Sequence, residues 1–138
     1  AIAASQSSVT GDGTAYTVAF TTEIYDQNSD FATPTFTAPV TGRYLMWCTI
    51  TTVSFTSSHT HQRLDFVTSN RSPQVFNLNP YAVRSSTETN THAVGTMVLD
   101  MDAADTASFK VTISGGAKSC SVQGSSGVQS FCGIHLLH

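Results

Sequence analysis

Two histidines two residues apart, in "SHTHQRLD" at 58–65, are the residues of this chain best placed to do chemistry. On a strand, His59 and His61 would project from one face. Two imidazoles there can hold a transition-metal ion, and threefold symmetry would triple the ligand set. They are the candidate metal ligands, and a structural metal ion is the one cofactor the residues suggest. His135 lies in the apolar run that ends the chain, where an interface or core histidine with a satisfied ring is expected before a ligand. Asp100, Asp102 and Asp105 lack the glycine and closing glutamate of a calcium loop and read as turn acids. There is no Gly-x-Ser-x-Gly elbow and no His-Glu-x-x-His. The only glutamates are Glu23 and Glu88, so a carboxylate pair for glycoside cleavage is hard to place. The chain is therefore read as non-enzymatic.

What remains is recognition by side chains on polar loops. Tyr25, Asn28, His59, His61, Arg71, Tyr81 and Arg84 are the candidates for contacting a receptor or carbohydrate. Aromatic faces stack on sugar rings or fill pockets, and arginine pairs with carboxylates.

These groups stand on a chain of 138 residues, enough for one domain with a real core. Only 11% of residues are charged, and serine and threonine make up about 28%, so the surface is solvated by hydroxyls. Six lysines and arginines against a net charge of −3 leave no basic stripe to displace phosphate counterions, which argues against nucleic acid. No apolar run reaches the roughly 18 residues of a membrane helix, so membrane insertion is not expected. The start, "AIAA", has no basic lead and no long apolar core, so the chain reads as a piece of something longer. The three cysteines, Cys48, Cys120 and Cys132, are an odd number, so at least one is free unless it pairs between chains. Buried free thiols are the plain expectation; a Cys120–Cys132 bridge stays open.

Short β-branched and aromatic runs alternate with glycine, asparagine, aspartate and serine clusters, the pattern of an all-β domain. Strands are predicted at Thr14–Thr21, Thr35–Ala38, Gly42–Val53, Gln62–Thr68, Val75–Leu78, His92–Met101, Ala107–Ser114 and Val128–Leu137. Eight or so strands at this spacing point to a sandwich or jelly roll. Residues 1–9, rich in serine, read as a flexible lead-in from an upstream segment, and 10–138 as the domain.

Two strands break the rule that an antiparallel sheet wets one face. In "RYLMWCTI", Tyr44, Met46, Cys48 and Ile50 alternate with Leu45, Trp47 and Thr49. In "VQSFCGIHLL", Cys132, Ile134 and Leu136 alternate with Phe131, His135 and Leu137. Two apolar faces in one small domain predict that the second packs on other copies of the chain. The candidate interface residues are Tyr44, Met46, Trp47, Phe131, His135 and Leu137.

Four ordered motifs resemble one family. Phe20 followed by "EIYDQNSDF" is the first. "FTAPVTGRYLMW" is the second, through Phe36, Thr37, Pro39, Gly42 and Tyr44. "GTMVLDMDAADTASFKV" is the third, through Leu99, Met101 and Asp105, and "SFCGIHLL" the fourth, through Ser130, Phe131, Gly133, Leu136 and Leu137. Together they resemble the globular head of the q-subunit of complement's first component and its tumour-necrosis-factor-like relatives. Ala104 departs from that pattern, standing where the family has glycine. The resemblance implies a ten-stranded jelly roll assembled as a homotrimer. The "GDGTAYTV" start and low charge resemble the terminal heads of phage tail fibres and of bacterial surface filaments. That implies an extracellular head, on a virion or on a bacterial cell or spore surface, joined to an upstream stalk and binding a cell-surface receptor.

Overall fold

A computed structural model describes residues 1–2, 4–83, 90–125 and 129–138. The described residues form two antiparallel sheets with a core between them. The strands are β1 (Gln6–Thr10), β2 (Ala15–Thr17), β3 (Phe31–Ala32), β4 (Thr35–Thr37), β5 (Gly42–Val53), β6 (His61–Thr68) and β7 (Gln74–Leu78). A single helical turn, α1 (Pro80–Val83), precedes β8 (Thr91–Met101), β9 (Thr106–Ser114), β10 (Cys120–Val122) and β11 (Phe131–Leu136).

β5 is the spine of the first sheet. Its whole length from Gly42 to Thr52 pairs with β8, while its other edge pairs first with β11 and then with β10, which carries β1. The second sheet runs β3-β4-β9-β6-β7, with β2 on the free stretch of β9. The period-two alternation of β5 sends Tyr44, Met46, Cys48 and Ile50 into the core. There they meet the aromatics of the second sheet, where Phe109 stands edge-on to both Phe20 and Phe66 and Phe36 stands edge-on to Tyr44. Tyr44 donates its phenol proton to the Val40 carbonyl at 2.6 Å, so the one polar atom it buries is satisfied.

A closed ring of hydrogen bonds ties the sheets together where β5, β6 and β8 approach. Gln62 donates its amide to the Thr52 hydroxyl at 2.8 Å, Thr52 donates to Thr91 at 2.9 Å, and Thr91 donates to the Gln62 amide oxygen at 2.6 Å. All three residues are buried, and the ring leaves no partner unmade among these groups.

Two expectations need correction. The lead-in is structured over 6–10 as β1, with Ile2 buried in the core and its amide bonded to the Ser130 carbonyl at 3.0 Å. Eleven strands are seen among the described residues, the extra ones, β1, β3 and β10, being short and weakly patterned. The three cysteines are free thiols, as expected, and the bridge left open between Cys120 and Cys132 is not formed, since Cys132 sits opposite Cys48 across β5 and β11. The predicted start of the last strand, Val128, lies outside the described residues.

Candidate functional site

The outward face of the first sheet carries several exposed apolar side chains. Register sets its rows. Phe131, Thr49 and Val94 share one row, Gly133, Trp47 and Thr96 the next, and His135, Leu45 and Val98 the third. Val94 is 57% exposed, Val98 48% and Trp47 38%. Beyond them Arg43 and Asp100 pair at 3.5 Å, both exposed, and close the face with charge.

Trp47 is seated by a glycine. A Cβ on Gly133 would fall 2.4 Å from the Trp47 indole, so only glycine lets the ring lie flat over β11. Phe131 then meets that ring edge-on, with centroids 5.6 Å apart. The indole thus covers backbone that a side chain would otherwise hide, and adds its own apolar surface to the face.

Of the expected interface residues, Trp47, Phe131, His135 and Leu137 lie on this side or at its end. Tyr44 and Met46 do not. Both are buried inside the sandwich, because even-numbered positions of β5 face the second sheet. Leu45, which the alternation already put on the side of Trp47, completes the face with Val94 and Val98, which sequence reasoning missed. The signal was present: in β8 the inward set runs Ala93, Gly95, Met97, Leu99, Met101, so valines at 94 and 98 must point outward.

His59 is not on a strand. It lies in the turn before β6, completely buried, edge-on to Phe55. Its Nδ1 accepts from the Thr56 amide at 2.9 Å, so Nε2 carries the proton and donates to the Ala117 carbonyl at 3.0 Å. Both ring nitrogens are therefore committed, and His59 serves neither as a metal ligand nor as an exposed contact. His61 opens β6, half-buried, 3.4 Å from the Ser114 hydroxyl. Among the described residues no group of three or more histidine, cysteine or acidic side chains is placed to hold a metal ion.

The other recognition candidates are spread over the molecule. Tyr25, 82% exposed, and Asn28 stand on the loop between β2 and β3, where the Tyr25 phenol donates to Gln27 at 2.9 Å. Arg71 is exposed in the turn between β6 and β7 and borders an open groove of about 580 Å³ with Arg43, Asp100 and Asp102. Tyr81 lies on α1, and Arg84 falls outside the described residues. The Tyr25 loop overhangs a cleft of about 640 Å³ at the free edge of β11, floored by Phe31, Trp47, Phe131 and Ile134 and rimmed by Glu23 and Asp26. The turn acids are engaged locally: Asp105 accepts from the Asp102 amide at 2.8 Å and from the Asn70 amide group at 2.6 Å. No helix among the described residues is long and apolar enough to cross a membrane.

No family model matches the chain, and no curated protein matches it in sequence. Among solved structures it is similar to the globular domain of the zebrafish complement 1qA protein, at 18% identity over 98% of each chain and a TM-score of 0.59. A carbohydrate-binding module of a Cellvibrio mixtus lichenase, in complex with cellotriose, aligns over the full length of both chains at 12% identity, with a TM-score of 0.35. The likeness to the complement domain extends over nearly the whole chain, and the chain accordingly has the fold of a complement globular head, an all-β sandwich of two antiparallel sheets.

Proposed function

We propose that this chain is the homotrimeric head of a longer fibrous protein, and that it binds a cell-surface receptor or carbohydrate without catalysing a reaction. The observation that carries the proposal is the outward face of the first sheet. Three rows centred on Trp47, Leu45, Val94, Val98 and Phe131 leave apolar side chains in water that burial would stabilise by roughly 25 cal/mol per Å². Three copies meeting around an axis through this face would cover it and bring three chains together in one head. A metal ion is no part of the proposed trimer.

Recognition would then fall to what the face leaves uncovered. The Tyr25 loop and the groove at Arg71 supply an exposed aromatic ring and a guanidinium on a rigid sandwich, the kind of placement binding loops use. The Thr51–His92 contact is not a nucleophile–base pair. Thr51 gives its proton to the Gln129 carbonyl at 2.8 Å and accepts from His92 at 2.9 Å, so that hydroxyl is not activated as a nucleophile. The setting proposed is the tip of a phage tail fibre, with a bacterial or spore surface filament as the alternative.

A second reading, a cap that only registers the stalk, is favoured by the scatter of the recognition candidates. Binding of the isolated, fluorescently labelled domain to a glycan array and to panels of bacterial cells separates the two. Saturable binding lost in Tyr25→Ala or Arg71→Ala supports the receptor-binding head; no binding to any surface supports the cap.

A further inference from the structure

We infer that Cys48 and Cys132 form a cross-strand pair that a low-molecular-weight disulfide such as oxidised glutathione closes into a disulfide, fastening the last strand to the spine of the first sheet. The two residues face each other in the β5–β11 ladder, and their side chains lie on the same, inward side. Their place in the hydrogen-bond alternation follows from the chain end. Arg43 accepts from the Leu137 amide at 2.8 Å and donates to the His138 carbonyl at 3.0 Å, so the ladder has a hydrogen-bonded site there. Counting along the register, Leu45/His135 and Trp47/Gly133 are hydrogen-bonded sites, and Tyr44/Leu136, Met46/Ile134 and Cys48/Cys132 are the non-bonded ones between them. Directly opposed residues at such sites have Cα atoms about 4.5 Å apart and the closest side chains of the ladder, within the roughly 4.4–6.8 Å span a disulfide needs.

The surroundings assign an order to the chemistry. Cys48 is fully buried, whereas Cys132 is half-buried and lines the cleft beside Trp47 and His135. Cys132 as thiolate attacks one sulfur of glutathione disulfide, forming a mixed disulfide and releasing one glutathione. The Cys48 thiolate then attacks the Cys132 sulfur and expels the second. One S–S bond breaks and one forms. Two electrons pass from the protein thiols to glutathione, and the two thiol protons end on the two glutathione molecules. Burial holds both thiols protonated, with Cys132 pushed up to about 12, so exchange in the fully packed protein is slow, and closure belongs to late folding, once β11 has paired with β5 and Cys132 is still reached from the cleft. Cys120 sits on β10, bonded to the Ser54 carbonyl, and takes no part.

The test is refolding of the full chain in a glutathione redox buffer, followed by intact mass and thermal unfolding. Wild type and Cys120→Ser are each expected to lose two hydrogen atoms in mass. Closing so long a loop is expected to raise their Tm by on the order of 10 °C, reversed by reductant. Cys48→Ser and Cys132→Ser are expected to show no such loss. Cleavage after aromatic residues cuts at Phe131 and separates Cys120 from Cys132, so the linked fragments identify the bond in wild type even if a variant fails to fold. Full-length folded protein that stays reduced across the whole glutathione series overturns the inference, as does a cross-link that contains Cys120.

Discussion

Val98→Lys is the perturbation that most cleanly separates assembly from folding. Within one copy Val98 is 48% exposed and takes no part in the core, so a lysine there has room to extend into water. Full burial of a valine is worth about 1.5–3 kcal/mol, so covering the exposed half contributes roughly 1 kcal/mol per copy. A lysine loses that and must also shed water from its ammonium without a partner, a cost of several kcal/mol if complete. Snorkelling along the face relieves part of it, leaving about 2 kcal/mol per copy and about 6 kcal/mol over three. Association is then weakened on the order of 10⁴-fold. Sedimentation velocity at micromolar concentration should show wild type as a trimer and the variant as a monomer with an unchanged β spectrum. Val83→Lys, at a valine that is also exposed but lies on α1, should leave the wild-type mass. A variant at position 98 that still sediments with wild type refutes the placement of the interface on this face.

Other consequences follow from single residues. Ala104 holds a left-handed φ of 71° in the exposed turn between β8 and β9, so Ala104→Gly should relieve strain and raise stability by about 0.5–1 kcal/mol, seen as a Tm higher by a few degrees. His59→Ala should cost on the order of 4 kcal/mol, because the Thr56 amide and the Ala117 carbonyl lose their partner together; urea denaturation with a loss under about 1 kcal/mol would contradict it. Burial raises the Cys120 thiol to about 11 and Cys132 to about 12, above the roughly 8.5 of an unfolded chain. The unfolded state therefore gives up these protons first. This contribution is full below about pH 8.5 and falls by about 1.4 kcal/mol per pH unit per thiol as pH climbs toward the folded values. In reductant, denaturation at pH 8 and pH 10.5 should show the drop, and Cys120→Ala should show less of it.

The fold was readable wherever strands were long and apolar. β5 falls on the predicted Gly42–Val53 with no change of boundary, and β6, β8 and β9 differ by one residue at their starts. Two apolar faces were visible in "RYLMWCTI", yet periodicity says only that residues alternate. It took the position of the second sheet to assign Tyr44 and Met46 inward and Leu45 and Trp47 outward. β1 escaped notice because its serines carry no hydrophobic rhythm and its pairing with β10 is a matter of backbone hydrogen bonds. The histidine pair misled for a related reason. A spacing of two places side chains on one face only inside a strand, and β6 begins at His61, leaving His59 in a turn that closes over it. Gly116 shows the same closure from the other side, since a Cβ there would fall 2.5 Å from the His59 ring.

The proposed head rests on three copies sharing the outward face of the first sheet, and mass in solution tests that directly. Sedimentation equilibrium of the wild-type domain at micromolar concentration should give three times the 14.7 kDa of one chain. A single species at 14.7 kDa, with Trp47, Val94 and Val98 left in water, would contradict it.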